Sequence, residues 1–176
     1  FLKRGMDIVI ASTALLLLSP IMIAVGIMLK VEGQSGSIFY GGHRIGRYGE
    51  KFRCWKFQSM EPNSDHLLQE LLDSDPQAKA DWETYRKLKV PDPRVTKKNA
   101  KIIRKTSIDE LPQLWNVIKG DMSLVGPRPI LNDEVELFGD AISQYIQVRP
   151  GITGLWQVSG RNETSFERRI YWDSWY

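Results

Sequence analysis

The sequence has few of the residues on which many metal and redox sites depend. Its 176 residues include one cysteine, Cys54, and two histidines, His43 and His66. A single cysteine excludes an internal disulfide and a cysteine-rich zinc site, and two histidines are too few for a histidine-based metal centre. The chain also lacks internal repeats and low-complexity tracts. A free thiol is compatible with a catalytic face in the cytoplasm.

Neither sign of charge is in large excess. The formal net charge is +3, from 24 Lys and Arg against 21 Asp and Glu. This mild excess fits an anionic partner such as a phosphate, a nucleotide or an anionic lipid, without requiring one. The length suits one domain, with or without a membrane anchor. Because the chain starts at Phe1 and stops at Tyr176 within a tryptophan-rich segment, we expect it to be a piece of a longer protein.

Charged residues are missing altogether between Ile8 and Leu29. As a helix, these 22 or so residues extend roughly 33 Å, which is enough to span the hydrocarbon core of a bilayer. A soluble core helix rarely runs this far without a charge, and a secretory signal peptide has a shorter apolar region followed by a cleavage pattern. Lys3 and Arg4 precede the segment and Lys30 follows it. Basic flanks prefer the cytoplasmic side, and here both flanks are basic.

A proline interrupts the apolar pattern at its centre. Pro20 removes a backbone donor and bends a helix. The Ser19 hydroxyl can bond a freed carbonyl, which makes a break tolerable in lipid. Together with the basic flanks, the pair predicts a re-entrant helix that breaks at Ser19 and Pro20, with a straight spanning helix as the alternative. We therefore assign residues 1–30 to a re-entrant membrane helix and residues 31–176 to a catalytic domain at the cytoplasmic face.

The rest of the chain mixes strand and helix signals. The stretch SIFYGGHRIGRYGEKFRCWKFQSM predicts short strands joined by tight glycine turns. HLLQELL and AKADWETYRKLK have apolar residues at helical spacing, and the glycines of PGITG are predicted to shape a turn. The class indicated is α+β, mostly helical with a small β element. The aromatic end of TSFERRIYWDSWY fits either an interfacial helix or an ordinary core.

The segment KIIRKTSIDELPQLWNVIKGDMSLVGPRP carries the densest set of charged residues. Ser107 and Glu110 fit a capping box with Pro112 in the first helical turn, which is a purely structural interpretation. Arg104 and Arg128 flank this helix start, however, and a helix N-terminus with basic neighbours favours phosphate. Adjacent carboxylates at such a place can hold Mg²⁺ together with phosphate oxygens. The segment is therefore the best candidate for a phosphate-handling site.

The two neighbouring carboxylates, Asp109 and Glu110, would point about 100° apart on a helix. We expect separate roles, one attacking and the other holding a metal or orienting the site. A carboxylate can form a covalent intermediate with a phosphoryl group. We expect Asp109 to be ionised at neutral pH, since the ordinary pKa of Asp is about 3.9 and nearby cations lower it.

Several motifs together resemble one family. The Lys3-Arg4…Asp7 group, the Ser19-Pro20 break, WKFQSM, the segment above and RPGITGLWQVSGRN resemble the monotopic bacterial sugar transferases, which are polyprenol-phosphate phosphoglycosyl transferases. The resemblance is ordered along nearly the whole chain. It looks closest to the large members that transfer galactose 1-phosphate to undecaprenyl phosphate. Those carry an extra N-terminal membrane region, so the resemblance implies that this chain is the C-terminal part of a longer protein.

The resemblance implies an activity and a location. The enzyme would move a hexose 1-phosphate from a UDP-sugar to undecaprenyl phosphate and release UMP, through a covalent aspartyl-phosphosugar intermediate that needs Mg²⁺. This would be the first membrane step of surface polysaccharide synthesis, at the cytoplasmic face of the bacterial inner membrane. The implied partners are the UDP-sugar, undecaprenyl phosphate and membrane lipid, but no nucleic acid; a homodimer is compatible with the family.

The resemblance also implies roles for individual residues. Asp109 matches the nucleophile and Glu110 its partner, and both would lie near the metal. The family's basic active-site positions are matched by Lys56, Arg104, Arg128 and Arg161, of which Arg161 would bind phosphate or nucleotide. Ser19 and Pro20 match the helix break. Many members have arginine where this chain has Gln58, so no cationic role is expected there.

Other functions stay open from the sequence. A membrane-associated, Mg²⁺-dependent UDP-sugar hydrolase would use water as the nucleophile and form no lipid product. A basic scaffold that holds anionic lipid would have no turnover, and the clustering of Asp109, Glu110, Arg104 and Arg128 in one segment disfavours it. The sequence does not state the sugar; galactose follows from the resemblance, with glucose as the second choice.

Overall fold

The computed structural model describes residues 2–33, 36–88, 90–159 and 164–176. The helices of this part, α1 to α9 in chain order, are Leu2–Val31, Ser64–Ser74, Pro76–Tyr85, Lys98–Lys105, Gln113–Lys119, Val135–Phe138, Ile142–Tyr145, Leu155–Val158 and Phe166–Ser174. The strands, β1 to β4, are Phe39–Ile45, Lys51–Phe57, Ser123–Val125 and Gly151–Thr153. Strands β1 and β2 form an antiparallel hairpin, and β3 and β4 form a parallel pair. The predicted α+β class, mostly helical with a small β element, is confirmed.

Helix α1 is continuous from Leu2 to Val31, although Pro20 lies inside it. The sequence predicts a break at this proline, and the structure shows no interruption of the helix there. Pro20 deprives the Leu16 carbonyl of its usual donor four residues later. The Ser19 hydroxyl donates to that same carbonyl at 2.7 Å. Ser19 therefore compensates for the proline as predicted, while a re-entrant path through a membrane stays a prediction.

One face of α1 packs on the rest of the protein and the other is exposed. By its length and composition alone, the helix could cross a membrane. Ala11 belongs to one hydrophobic cluster, and Val25 and Leu29 belong to another. The outer face exposes apolar side chains such as Leu16 and Leu17, with exposed fractions of 74% and 70%. An apolar face of this extent is suited to contact with the interior of a bilayer.

The N-terminal part of α1 is fixed to the domain by two charged side chains. The Arg4 guanidinium donates to the carbonyls of Val117 and Ile118 at 2.6 and 2.9 Å, in the last turn of α5. The last carbonyls of a helix lack the usual donor four residues later, and the Gly120 N–H reaches only the Val117 carbonyl of these two, at 3.2 Å, so the arginine acts as a C-cap. The buried Asp7 carboxylate accepts a hydrogen bond from the Ser123 hydroxyl at 2.9 Å. Both contacts join α1 to the segment that follows the carboxylate pair.

The other end of α1 contacts the same body. The Glu32 carboxylate follows the helix directly and accepts hydrogen bonds from the Asn99 backbone N–H at 3.0 and 3.2 Å. Asn99 lies in the first turn of α4, where a free N–H and the helix dipole favour a negative charge. The two ends of the apolar helix are therefore attached to one and the same domain.

The β1–β2 hairpin connects the hydrophobic clusters. Phe52 and Cys54 belong to the cluster around α5, Ile45 belongs to a second beneath α7 and α9, and Phe57 belongs to a third under the C-terminal half of α1. Strand side chains alternate between two faces, which lets one short hairpin reach several neighbours. The position of the hairpin is thus determined by packing on more than one side.

Two glycine segments touch backbone to backbone. Gly126 donates its N–H to the Thr153 carbonyl at 2.9 Å. A Cβ at Gly151 would lie 2.1 Å from the nitrogen of Gly126, and one at Gly154 would lie 2.1 Å from its carbonyl oxygen, so any side chain would collide. The sequence predicts a turn at these glycines, whereas Gly151 opens strand β4. The glycines serve a close approach of two chains, which fixes the beginning of the GPRP loop.

Asn116, in α5, ties this helix to strand β2. Its side chain is fully buried. Its Oδ1 accepts the Trp55 N–H at 3.0 Å, and its Nδ2 donates to the Arg53 carbonyl at 2.7 Å and to Asp121 Oδ2 at 3.0 Å. One amide thus satisfies backbone groups of the hairpin and a carboxylate of the following loop, as a buried polar group requires.

We expect Asn116→Ala to lower the free energy of unfolding by about 2 to 4 kcal/mol, because the substitution leaves buried donors and acceptors unpaired. Denaturant unfolding of the purified protein in detergent measures the change. Lys79→Ala, on the exposed side of α3, is the control and should change stability by less than about 0.5 kcal/mol. An equally small effect at Asn116 would contradict the prediction.

Candidate active site

A central cavity of about 920 Å³ lies between the hairpin, the segment before α5, the GPRP loop and the β4–α8 connection. Cavities of this size are typical of binding sites for small ligands. It is lined by five of the six predicted polar site residues, namely Lys56, Arg104, Asp109, Glu110 and Arg128. The sixth, Arg161, lies outside the described residues. The fold thus gathers residues that are up to 72 positions apart (56 to 128).

The carboxylate pair lies on a tight turn and not in the first turn of a helix. Ile108–Glu110 is a single 3-10 turn, and helix α5 begins only at Gln113. Ser107 has a left-handed backbone with a φ of 59° and makes no side-chain capping bond to the described residues. The predicted capping box is therefore wrong, because a residue with this backbone does not adopt the extended geometry of an N-cap. The turn directs both carboxylates to the cavity wall.

Glu110 is paired with Lys56. Lys56 Nζ lies 2.6 Å from Glu110 Oε1, and both side chains are about one-third exposed. Lys56 is on strand β2, directly after Trp55, whose N–H Asn116 binds, so the hairpin determines the position of this ammonium group. The pair places a cation beside the two carboxylates. Because both side chains stay partly exposed, a ligand can still reach the ammonium group.

Asp109 is the more buried carboxylate, with an exposed fraction of 5%. Burial raises its pKa; the negative charge of Glu110 acts in the same direction, while Lys56 and Arg104 oppose it. The sequence predicts that the nearby cations lower this pKa, and that direction is wrong because desolvation exceeds their attraction. A poorly solvated carboxylate is more basic than an ordinary one, and its oxygens are not masked by water. This environment suits a nucleophile.

Arg128 is held by buried groups from several elements. Its Nη2 donates to Oε1 of the buried Glu134, whose Oε2 accepts the Leu131 N–H at 2.8 Å. Its backbone N–H donates to Asp173 Oδ1 at 3.1 Å, and its carbonyl accepts from the Tyr145 hydroxyl at 2.9 Å. Side chain and main chain are both anchored, so the guanidinium has a defined place in the cavity wall.

Asp173, on α9, lies behind this arginine and is almost fully buried, with an exposed fraction of 2%. Burial raises its pKa to about 7; the backbone N–H of Arg128 and the charges of Arg128 and Arg169 oppose the rise. Its Oδ2 has no hydrogen-bond partner among the described residues. Asp173 is therefore a buried carboxyl that changes charge near neutral pH.

Sequence reasoning missed Glu134, Asp173 and Tyr145 as supports of Arg128. Each comes from a different element, and no spacing in the sequence connects them with position 128. It also missed Trp156 and Gln157 in the cavity wall, whose buried Nε1 and Oε1 lack partners in the described part of the chain. Only the folded structure shows that these two atoms are buried and unpaired. They are available to a polar ligand.

The carboxylates fit the predicted Mg²⁺. Asp109 and Glu110 are adjacent on one turn and line the cavity. The described residues contain no group of three or more side chains of the usual metal-binding types, so they form no all-protein cage. Mg²⁺ typically binds one or two carboxylates and completes its shell with water and substrate phosphate, which agrees with this small donor set.

The comparisons with known proteins agree on one family. The model described as "Bacterial sugar transferase" matches residues 1–176. The chain is 53% identical over 176 residues to the undecaprenyl-phosphate galactose phosphotransferase of Salmonella typhimurium, which covers 100% of this chain and 36% of that protein. It is 51% identical over 176 residues to the UDP-galactose-lipid carrier transferase of Erwinia amylovora, with the same 100% and 36%.

A shorter relative is matched over most of its length. The chain is 49% identical over 174 residues to the exopolysaccharide production protein ExoY of Sinorhizobium fredii, covering 99% of this chain and 76% of that protein. Against the two galactose-related proteins, by contrast, the chain spans about a third (36%) of the relative's length.

The raised pKa of Asp173 predicts a pH-dependent stability. Between the ordinary value of 3.8 and about 7, the native state holds the proton that the unfolded state has lost, so the free energy of unfolding falls as pH rises. Asp173→Asn cannot ionise but keeps an acceptor for the Arg128 N–H. We expect the wild type to lose stability relative to this variant across that window, by at most about 1.4 kcal/mol per pH unit. Thermal unfolding of both proteins in a pH series measures the difference.

The exposed Asp133 offers a matched control, since Asp133→Asn removes a carboxylate from the same cavity rim. Its pH profile should run parallel to that of the wild type. Parallel profiles for Asp173→Asn as well would show that this carboxyl is already ionised below neutral pH, against the prediction.

Proposed function

Because the chain belongs to the bacterial sugar transferase family, we propose that it transfers a hexose 1-phosphate from a UDP-sugar to undecaprenyl phosphate and releases UMP. The observation that carries the proposal is a buried carboxylate, Asp109, at a cavity wall whose cationic side chains include Lys56, Arg104 and Arg128. The names of the relatives, which include a galactose phosphotransferase and a lipid carrier transferase, support the same reaction class.

In the first step, an Asp109 carboxylate oxygen forms a bond to the phosphorus that bears the sugar. The bond between this phosphorus and the bridging pyrophosphate oxygen breaks, and its electron pair leaves with UMP. The product is an aspartyl-phosphosugar, an acyl phosphate. Asp109 is suited to the attack because its burial removes competing water, and because Lys56 beside it reduces its repulsion from the phosphates.

In the second step, a phosphate oxygen of undecaprenyl phosphate forms a bond to the same phosphorus. Asp109 leaves as a carboxylate, and the lipid now carries a sugar diphosphate. Catalysis of phosphoryl transfer depends mainly on position and charge, so the anchored guanidinium of Arg128 and the ammonium of Lys56 carry most of the protein's contribution. Bound Mg²⁺, held by Asp109 and Glu110, would supply further positive charge to the phosphate oxygens.

The acceptor requires the site to lie at a membrane surface, and α1 provides the anchor in this proposal. Both ends of α1 are attached to the one domain, through Arg4 at the start and Glu32 at the end. A straight span would carry one end to the far side of the bilayer. We therefore propose a re-entrant path, in which α1 bends at Pro20 without breaking. It would enter and leave by the cytoplasmic face of the bacterial inner membrane and set the depth of Asp109.

For the sugar we propose galactose, with glucose as the second choice, since two relatives are named for galactose. A panel of UDP-sugars with undecaprenyl phosphate and Mg²⁺ identifies the donor by UMP release and lipid product together. Release of sugar phosphate into water without a lipid product would instead indicate the hydrolase.

We expect Asp109→Asn to abolish both lipid transfer and the UMP release that occurs without acceptor, with a loss of at least about a thousandfold, because an amide cannot act as the nucleophile. A radiolabelled donor and mass spectrometry of the trapped protein measure the two effects. Asp133→Asn removes an exposed carboxylate of the same cavity and should keep most of the activity. UMP release by Asp109→Asn at the wild-type rate would rule out this nucleophile.

Single cysteines at Gly5 and Val31, which flank the apolar stretch and are exposed, test the re-entrant path. With a membrane-impermeant maleimide, both should react in inverted membrane vesicles and neither in intact spheroplasts. The native Cys54 gives little background, because it is buried and burial raises the pKa of its thiol. Labelling of the two positions from opposite faces would establish a spanning helix.

A further inference from the structure

A second cavity of about 450 Å³ adjoins the central one. Trp82, Arg86, Lys87 and Arg104 line both cavities, so they form a shared wall. Trp82 is in α3, and Arg86 and Lys87 follow this helix directly. A ligand whose reacting phosphate is near Asp109 can therefore extend past Arg104 into this side cavity. Its volume is in the usual range for small-molecule sites.

The side cavity has an excess of positive charge. Its cationic lining residues are Arg86, Lys87, Arg94, Lys101 and Arg104. The carboxylate among the described lining residues, Asp92, is paired with Arg94, which donates two hydrogen bonds of 2.8 Å to it. In the described part of the chain, the other four cations have no carboxylate within ion-pair distance. Such a cluster favours an anionic ligand.

The surroundings of Lys87 agree with this view. Burial lowers its pKa, and the nearby charges that act on it, those of Arg169 and Arg104, lower it further. A negative group placed between these side chains would relieve their repulsion.

The cavity also offers a flat surface. The Arg94 guanidinium lies 5.3 Å from the centre of the Trp82 ring, and Asp92 holds it in place by two hydrogen bonds. The guanidinium covers one face of the ring, so a nucleobase would stack on the opposite face of the ring or on the guanidinium itself. A polyprenyl phosphate has no such ring, and its chain stays in the bilayer, so it would use only the phosphate contacts.

We propose that the side cavity binds the nucleoside monophosphate part of the donor and retains UMP after it leaves, with Arg86 and Lys87 contacting its phosphate and the Trp82–Arg94 surface contacting its base. The inference rests on the proposed UDP-sugar donor and adds where its nucleotide lies. Once UMP is released, its phosphate carries one more negative charge than the same phosphate carries within the donor. The cations of the shared wall face that new charge.

Isothermal titration of UMP into the full chain, in detergent with Mg²⁺, tests the site. Arg86→Gln and Lys87→Gln should each weaken binding by about tenfold, since each loses a charge-assisted contact. Lys79→Gln, an exposed lysine of the same helix α3 that does not line the cavity, should bind within twofold of wild type. UMP binding within twofold of wild type by both wall variants would overturn the proposal.

Two further ligands test its two parts. Ribose 5-phosphate, which has the phosphate without the base, should bind wild type several-fold more weakly than UMP because it cannot stack. Equal affinity would overturn the base contact. The acceptor step is followed from preformed aspartyl-phosphosugar. If that step slows in Lys87→Gln while UMP affinity is unchanged, the side cavity serves the lipid phosphate and the proposal is wrong.

The result separates this inference from the proposed function. If wild type binds UMP through Arg86 and Lys87 but forms no adduct at Asp109, the side cavity is supported and the transfer mechanism fails. If Lys87→Gln and Arg86→Gln form the adduct normally with unchanged UMP affinity, the side cavity fails and the transfer mechanism stands.

Discussion

The buried amide of Asn116 is the contact on which the candidate site depends most. Helix α5 follows the carboxylate turn, and strand β2 carries Lys56. The Asn116 side chain joins the two by binding the Trp55 N–H and the Arg53 carbonyl of that strand. The 2.6 Å contact between Lys56 and Glu110 therefore results from the way two elements are joined. A site built from side chains on rigid elements holds its geometry better than one built from a free loop.

Opposing electrostatic effects define the chemistry. Burial raises the pKa of Asp109, and the cations around it act against that rise without overcoming it. The same pattern recurs behind the wall, where Asp173 is buried beside Arg128. Both carboxyls are buried from water and lie near positive charge. At Asp109, in the cavity wall, this combination lets a phosphate group approach while the carboxylate can still react.

Local sequence patterns predicted the fold class and the identity of five cavity residues, because those residues sit in short motifs or match a family. Their predictions were wrong or incomplete where the local backbone and the contacts between elements determine the structure. The spacing of Ser107 and Glu110 indicated a capping box, but the left-handed backbone of Ser107 makes a turn instead. Pro20 indicated a break, but a hydroxyl one residue earlier compensates within a continuous helix. The supports of Arg128 and the side cavity arise from contacts between elements that no single stretch of sequence contains.

The anchoring of Arg128 has a consequence for binding entropy. An arginine free in solution loses rotamer freedom when it grips a phosphate, and that loss weakens the interaction. Here the main chain on one side is locked by the glycine contact at Gly126, and the guanidinium is held by Glu134. The ordering is completed when the protein folds. A phosphate that binds at this wall meets a donor that is already ordered. Little of the binding free energy is therefore lost to immobilising the arginine.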